Sequence, residues 1–182
     1  MKAMNNIVKT LSVITLFALT AVANAIPVSY TESAPQTAAG QVFNFEYNPI
    51  LDSTGEGSLY IKARGDYSVA WPAIENLGFN IDGVFTGIAA PQYGNVINTY
   101  SYDDVLFEIE FTIGESLMDE ITESLSAVLV LDLASDVNIV TANSFVEATL
   151  SYEGVSNEVP EPAILFILGA GLLGFAGIKR RR

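Results

Sequence analysis

Two glutamates two residues apart are the first place to look for chemistry. Glu108 and Glu110 lie in the alternating run Val105 to Ile113, V-L-F-E-I-E-F-T-I. On a strand they would share one face, about 7 Å apart along it. Glycosidase carboxyl pairs are about 5–9.5 Å apart, so the spacing admits such a pair. Alternating glutamates are also how an antiparallel strand meets water, and that reading is preferred here. Other catalytic sets fail on composition. The chain has no histidine and no cysteine, which removes Ser-His-Asp and Cys-His catalysis and every imidazole or thiolate zinc site. No glycine-rich loop ends in Lys-Ser or Lys-Thr, so no phosphate cradle of that kind exists.

Oxygen donors and aromatic rings remain. Asp82, Asp103, Asp104, Asp132, Asp136 and Asn138 lie in or beside turn signals. Calcium needs about six to eight oxygens converging on one point. No EF-hand spacing with its closing glutamate appears, so a solvated acidic surface is the simpler reading. No cofactor is expected, with calcium the one ion left open. Trp71, Tyr93, Tyr100 and Tyr102 also fall near turns. Such rings can stack on sugars, and they serve equally as core or rim residues.

The charge distribution narrows the partners. All 21 acidic residues lie between Glu32 and Glu161, whereas only Lys62 and Arg64 of the eight basic residues lie there. Residues 26–158 carry 20 carboxylates against two cations, a formal charge of −18. That excludes nucleic acid and anionic membrane surfaces as partners. It suits solubility, a divalent cation or a basic partner.

The elements that would position these residues are mostly strands. Residues 26–40 read as a leading segment holding at most an edge strand. Phe43, Phe45 and Tyr47 alternate with polar residues, as do Leu59, Ile61 and Ala63, then Leu77, Phe79 and Ile81. Asp82-Gly83 before Val84-Phe85 is a hairpin signal, because both central residues of a type I′ turn take positive φ. Ala90 to Asn98 reads as a loop. Val105, Phe107, Ile109, Phe111 and Ile113 share a buried face. Residues 115–126 suggest a short amphipathic helix with Ser116 as its N-cap. Ala127 to Leu133 reads as a central strand and Val137 to Val140 as a short one. Val146 to Tyr152 forms the last alternating face, and Glu153 to Glu158 a linker. Many short strands between turn signals predict a mainly β domain, a single antiparallel β-sandwich with one short amphipathic helix.

Both ends of the chain carry targeting signals. Lys2 and Lys9 precede an apolar run from Leu11 to Ala23, and Ala23-Asn24-Ala25 is a small-x-small cleavage site. Residues 1–25 thus read as a secretory signal peptide cut after Ala25 by signal peptidase. The alternative is an uncleaved anchor, for which the apolar run is short. At the other end Pro160-Glu161-Pro162 precedes an uncharged run, residues 163–178, and then Lys179, Arg180, Arg181 and Arg182. The run makes about 24 Å of helix against about 30 Å of hydrocarbon. Lys and Arg resist translocation, so it is expected to act as a transmembrane tail anchor, with a buried core helix as the alternative.

Those three parts in order resemble the PEP-CTERM sorting signal. The resemblance covers residues 159–182. It implies a client of an exosortase, a membrane-embedded transpeptidase-like enzyme that reads Pro160, Glu161 and Pro162. It also implies an inner-membrane precursor, then release or attachment at the surface or exopolysaccharide matrix of a Gram-negative bacterium. The body, through Gly55 to Leu59, Gly65-Asp66 and Ala148 to Tyr152, loosely resembles the β-sandwich modules of such proteins. A structural or adhesive component and not an enzyme is therefore expected. A carbohydrate- or calcium-binding module is the alternative, and a secreted polysaccharide-active enzyme is a third class.

Overall fold

The computed structural model describes residues 24–156. The expected signal peptide 1–25, apart from its last two residues, and Pro160-Glu161-Pro162, the expected span 163–178 and the basic end 179–182 lie outside them. Nine strands and one helix follow in chain order. They are β1 (Asn24–Pro35), β2 (Val42–Tyr47), β3 (Ser53–Gly65), β4 (Leu77–Ile81), β5 (Phe85–Ala89), β6 (Asn95–Ser101) and β7 (Asp104–Ile113), then α1 (Glu115–Thr122), β8 (Ala127–Leu133) and β9 (Phe145–Ser156).

The strands form two antiparallel sheets, ordered β1-β9-β3-β7-β6 and β2-β8-β4-β5. Period-two patterning sets the register, since a one-residue slip would turn a whole apolar face to water. Leu59 faces Phe111 and Leu150 across its two neighbours, and Ile61 faces Ile109 and Ala148. In the other sheet Phe45 pairs with Leu129, and Phe79 with Leu131. The inward residues of both sheets form one buried cluster. Contacts between the layers fix it: the Phe79 and Phe111 rings lie 4.5 Å apart, and the Tyr47 hydroxyl donates to the Ala148 carbonyl at 3.3 Å. α1 closes one end with Met118 and Ile121 fully buried. Thr122 ties it to β3, its Oγ1 accepting from Ser53 N at 3.0 Å and donating to Met118 O at 2.9 Å.

The Asp82-Gly83 hairpin is present. Asp82 has φ 51° and Gly83 φ 77°, joining β4 to β5. Asn80 Oδ1 accepts from Gly83 N at 2.6 Å, and Asp82 Oδ1 accepts from Val128 N at 3.1 Å. The leading segment does contain an edge strand, β1. It runs antiparallel to β9 beside hydroxyl pairs Ser29–Ser151 and Thr31–Thr149, 3.0 and 2.9 Å apart.

Several local expectations are corrected. The stretch expected as a loop, Ala90 to Asn98, contains the start of β6. All seven β6 residues are exposed, so this outer strand buries neither face and leaves no alternation to read. Val137 to Val140 is no strand. The Val137 carbonyl accepts from Gly40 N and from the Gln36 carboxamide, so a loop meets its backbone needs in place of a ladder. The helix N-cap is Gly114, not Ser116; the Gly114 carbonyl accepts from Leu117 N and Met118 N. Leu125 follows the helix with φ 55° and its side chain is exposed. The supposed linker Glu153 to Glu158 is strand as far as Ser156. On β7, Val105, Phe107 and Ile113 are buried, but Ile109 and Phe111 only partly. Pairing with β6 stops at Glu108, so these two residues lie at the sheet margin, while Ile113 sits next to α1.

Candidate functional site

The outer face of the five-stranded sheet gathers most of the candidate carboxylates of the β7 region. Tyr60 and Lys62 on β3 lie opposite Glu110 and Glu108 on β7. Glu108 is held from two sides. Its Oε2 accepts from the Tyr60 hydroxyl at 2.6 Å and its Oε1 from the Asn95 carboxamide at 2.9 Å. The Tyr60 hydrogen bond, then the Asn95 one, holds its carboxyl below the ordinary carboxylate range. Burial, then the bond to Glu108, pushes the Tyr60 hydroxyl up to about 12. A general acid in a glycosidase pair must be held protonated near neutral pH. Glu108 is displaced in the opposite direction, and Glu110 is exposed.

The calcium candidates are dispersed. Asp104 forms a two-point pair with Arg64, at 2.9 Å to Nε and 2.8 Å to Nη2. The Arg64 guanidinium also lies 3.8 Å over the Tyr100 ring. Asp82 is occupied at the hairpin, and Asp132 is exposed on β8. Asp103 and Asp136 lie in turns, both exposed. Asn138 spends its donors on Asp66 Oδ2, at 3.1 Å from the backbone and 3.0 Å from the side chain. Among the described residues no three acidic side chains converge as a metal site. Two open surface clefts, of about 460 and 590 Å³, include Asp132 but neither Glu108 nor the aromatic candidates.

Of the four aromatic candidates, the structure brings two together. Trp71, on the loop between β3 and β4, meets Tyr93, on the loop between β5 and β6. Their centroids are 5.4 Å apart at 75°. Tyr100 is engaged with Arg64, and Tyr102 stands 83% exposed at the β6–β7 turn. The residue joining the pair was not foreseen. Gln92 Nε2 donates to the Ser68 and Ala70 carbonyls at 2.7 and 2.6 Å. It therefore clips the residue before Trp71 to the residue before Tyr93. Its Oε1 is buried with no partner among the described residues. No sequence signal marks Gln92, because the bond crosses 22 residues.

Residues 158–182 match the family model of the PEP-CTERM protein-sorting motif. The chain is thus a carrier of that motif, which implies an exported protein processed at a membrane by an exosortase. No curated protein matches the chain. Solved structures give weak likenesses. BuGH86 in complex with neoagarooctaose aligns at 13% identity and TM-score 0.40, over 75% of this chain and 20% of that one. CBM35 from Cellvibrio japonicus Abf62 aligns at 11% identity and TM-score 0.33, over 64% and 72%. The VP2 subviral particle of infectious bursal disease virus aligns at 18% identity and TM-score 0.40, over 74% and 34%. The chain spans about a fifth of BuGH86. At these scores no likeness carries function across. Among the described residues no helix is long and apolar enough to cross a membrane.

Proposed function

We propose that this chain is exported under a signal peptide ending at Ala25, is held by the span 163–178, and is cut at its tail by an exosortase. The two-sheet domain then remains at the surface or in the exopolysaccharide matrix of a Gram-negative bacterium as a structural or adhesive component without catalysis. The observation that carries this reading is the PEP-CTERM match over 158–182, which begins two residues beyond β9. The charge of 26–158, −18, supports a domain displayed in water. The two hydrogen bonds that Glu108 accepts, which lower its carboxyl, support a structural sheet face over an acid–base pair. Intact-mass analysis of the chain recovered from its host tests the reading. Loss of residues 1–25 and of part of 158–182 is expected. Recovery of the whole translated chain as the stable form would overturn it.

A further inference from the structure

We propose that Trp71 and Tyr93 form a stacking site for an uncharged polysaccharide. This extends the reading of a displayed, non-catalytic domain by naming the ligand class. Single exposed aromatics are ordinary. Here two touching rings, 68% and 52% exposed, stand beside exposed Val69 and Ile74. Exposed apolar side chains concentrated on one loop and its ring partner make a candidate interaction site.

The site is built, not loose. Gln92 clips both ring-bearing loops together. Ser68 Oγ accepts from Ala70 N at 3.1 Å, and Asn76 Nδ2 donates to the Ala73 and Ile74 carbonyls at 2.9 and 3.2 Å. Gly94, next to Tyr93, passes so close to β7 that a Cβ there would collide with the Glu108 carbonyl. Rings held in place before binding lose little entropy when a ligand arrives. Gln92 Oε1 is buried and has no partner among the described residues, so the clip is made by its Nε2 alone.

Charge selects the occupant. The Trp71 loop also carries Asp66 and Glu75. Burial, then Asp66, raises the Glu75 carboxyl, with Asp103 and Asp136 adding to it, so these acids share one neighbourhood. Lys62 and Arg64 are the only cations of 26–158, and Arg64 is committed to Asp104 and Tyr100. The acidic surroundings repel anionic polymers, phospholipid headgroups and a second copy of this chain. A neutral sugar has an apolar C–H face for the rings and a hydroxyl rim that tolerates neighbouring carboxylates. Topology is compatible with capture. The β3–β4, β6–β7 and β8–β9 connections lie at one end of the sheets, while β9 runs away from it and finishes at Ser156.

Trp71 is the only tryptophan in the chain, so its emission reports directly on the site. The full chain in detergent is titrated with mixed-linkage β-glucan, galactomannan, dextran and polygalacturonate, and run in gels containing each. At least one neutral glycan is expected to shift Trp71 emission and retard migration, and polygalacturonate to do neither. Trp71→Ala and Tyr93→Ala are expected to weaken retardation by about tenfold or more, the scale of a lost aromatic anchor. Tyr102→Ala is expected to bind as wild type. The proposal is overturned if no neutral glycan moves wild-type emission or migration. It is equally overturned if both ring variants bind like wild type, or if Trp71 emission responds instead to phosphatidylcholine vesicles or to protein concentration. Either failure leaves the tail-processing masses unchanged, so the two readings are separable.

Discussion

Asp104 and Glu75 are both acidic side chains of the same end of the fold, yet their surroundings push them opposite ways. The two-point hydrogen bond from Arg64 lowers Asp104, against an opposing effect of burial. Its folded-state pKa is depressed, so its stabilising contribution is present above the unfolded value of about 3.9 and is lost as pH falls through the folded one. Asp104→Asn is therefore expected to melt lower than wild type at pH 7, with the gap closing below about pH 4. Glu75 is raised, first by burial and then by Asp66. A raised carboxylate costs stability while ionised, and the cost is relieved as pH falls through the raised value. Glu75→Gln is expected to melt higher at pH 7, with the gain shrinking in acid. Urea melts of both variants at pH 7, 5 and 3 check the signs. Parallel pH profiles would mean that neither environment acts as described.

For the elements, β7 gives the sharpest comparison because its inward positions differ in cover. Phe107 is fully buried, with the Tyr67 ring edge-on at 4.9 Å, while Ile109 is only partly buried. An unpaired carboxylate costs most where water is most fully excluded. Phe107→Asp is thus expected to destabilise by several kcal/mol or prevent folding, Ile109→Asp by less, and Glu110→Ala by about 0.5 kcal/mol or less. Denaturant midpoints in that order check it; equal losses at 107 and 109 would contradict the margin argument. The β4–β5 turn gives a second test. Gly83→Val places a β-branched residue at φ 77° and is expected to cost about 1–2 kcal/mol. Alternation made β2 and β4 legible in the sequence, since one face of each meets the opposite sheet, and a nearly continuous apolar run made β8 legible as an inner strand. It could not show β6, which has no buried face, or residues 134–144, where loop backbone and side-chain bonds replace a ladder. Four aromatic residues near turns were readable. Which two would touch depended on Gln92, whose partners lie on another loop.

On the scale of the whole molecule, the domain's ends bear on whether processing can leave it intact. β1 begins at Asn24, so cleavage after Ala25 removes only two strand residues. The first hydroxyl contact between β1 and β9 is at Ser29. β9 ends at Ser156 and the matched motif begins at 158. Among the described residues, neither cut removes one of the buried cluster. Trimming at both ends is therefore expected to leave thermal stability close to that of the unprocessed chain. The tail roles are separable by mutation. Pro160, Glu161 and Pro162 are the residues the sorting signal is expected to be read at. Glu161→Ala is expected to give a membrane-bound chain whose mass still includes residues 158–182. Neutralising Lys179 to Arg182 removes the charges that resist translocation, so that variant is expected to lose its fixed position in the membrane. Deleting 158–182 is expected to release a folded domain after export. Intact mass, membrane partition and melting of each variant in the native host decide the matter. If the deleted chain reaches the same place in the same form as wild type, the tail does not sort this protein. If it is released but melts well below wild type, residues 158–182 help to stabilise the fold, and the tail is more than a sorting signal.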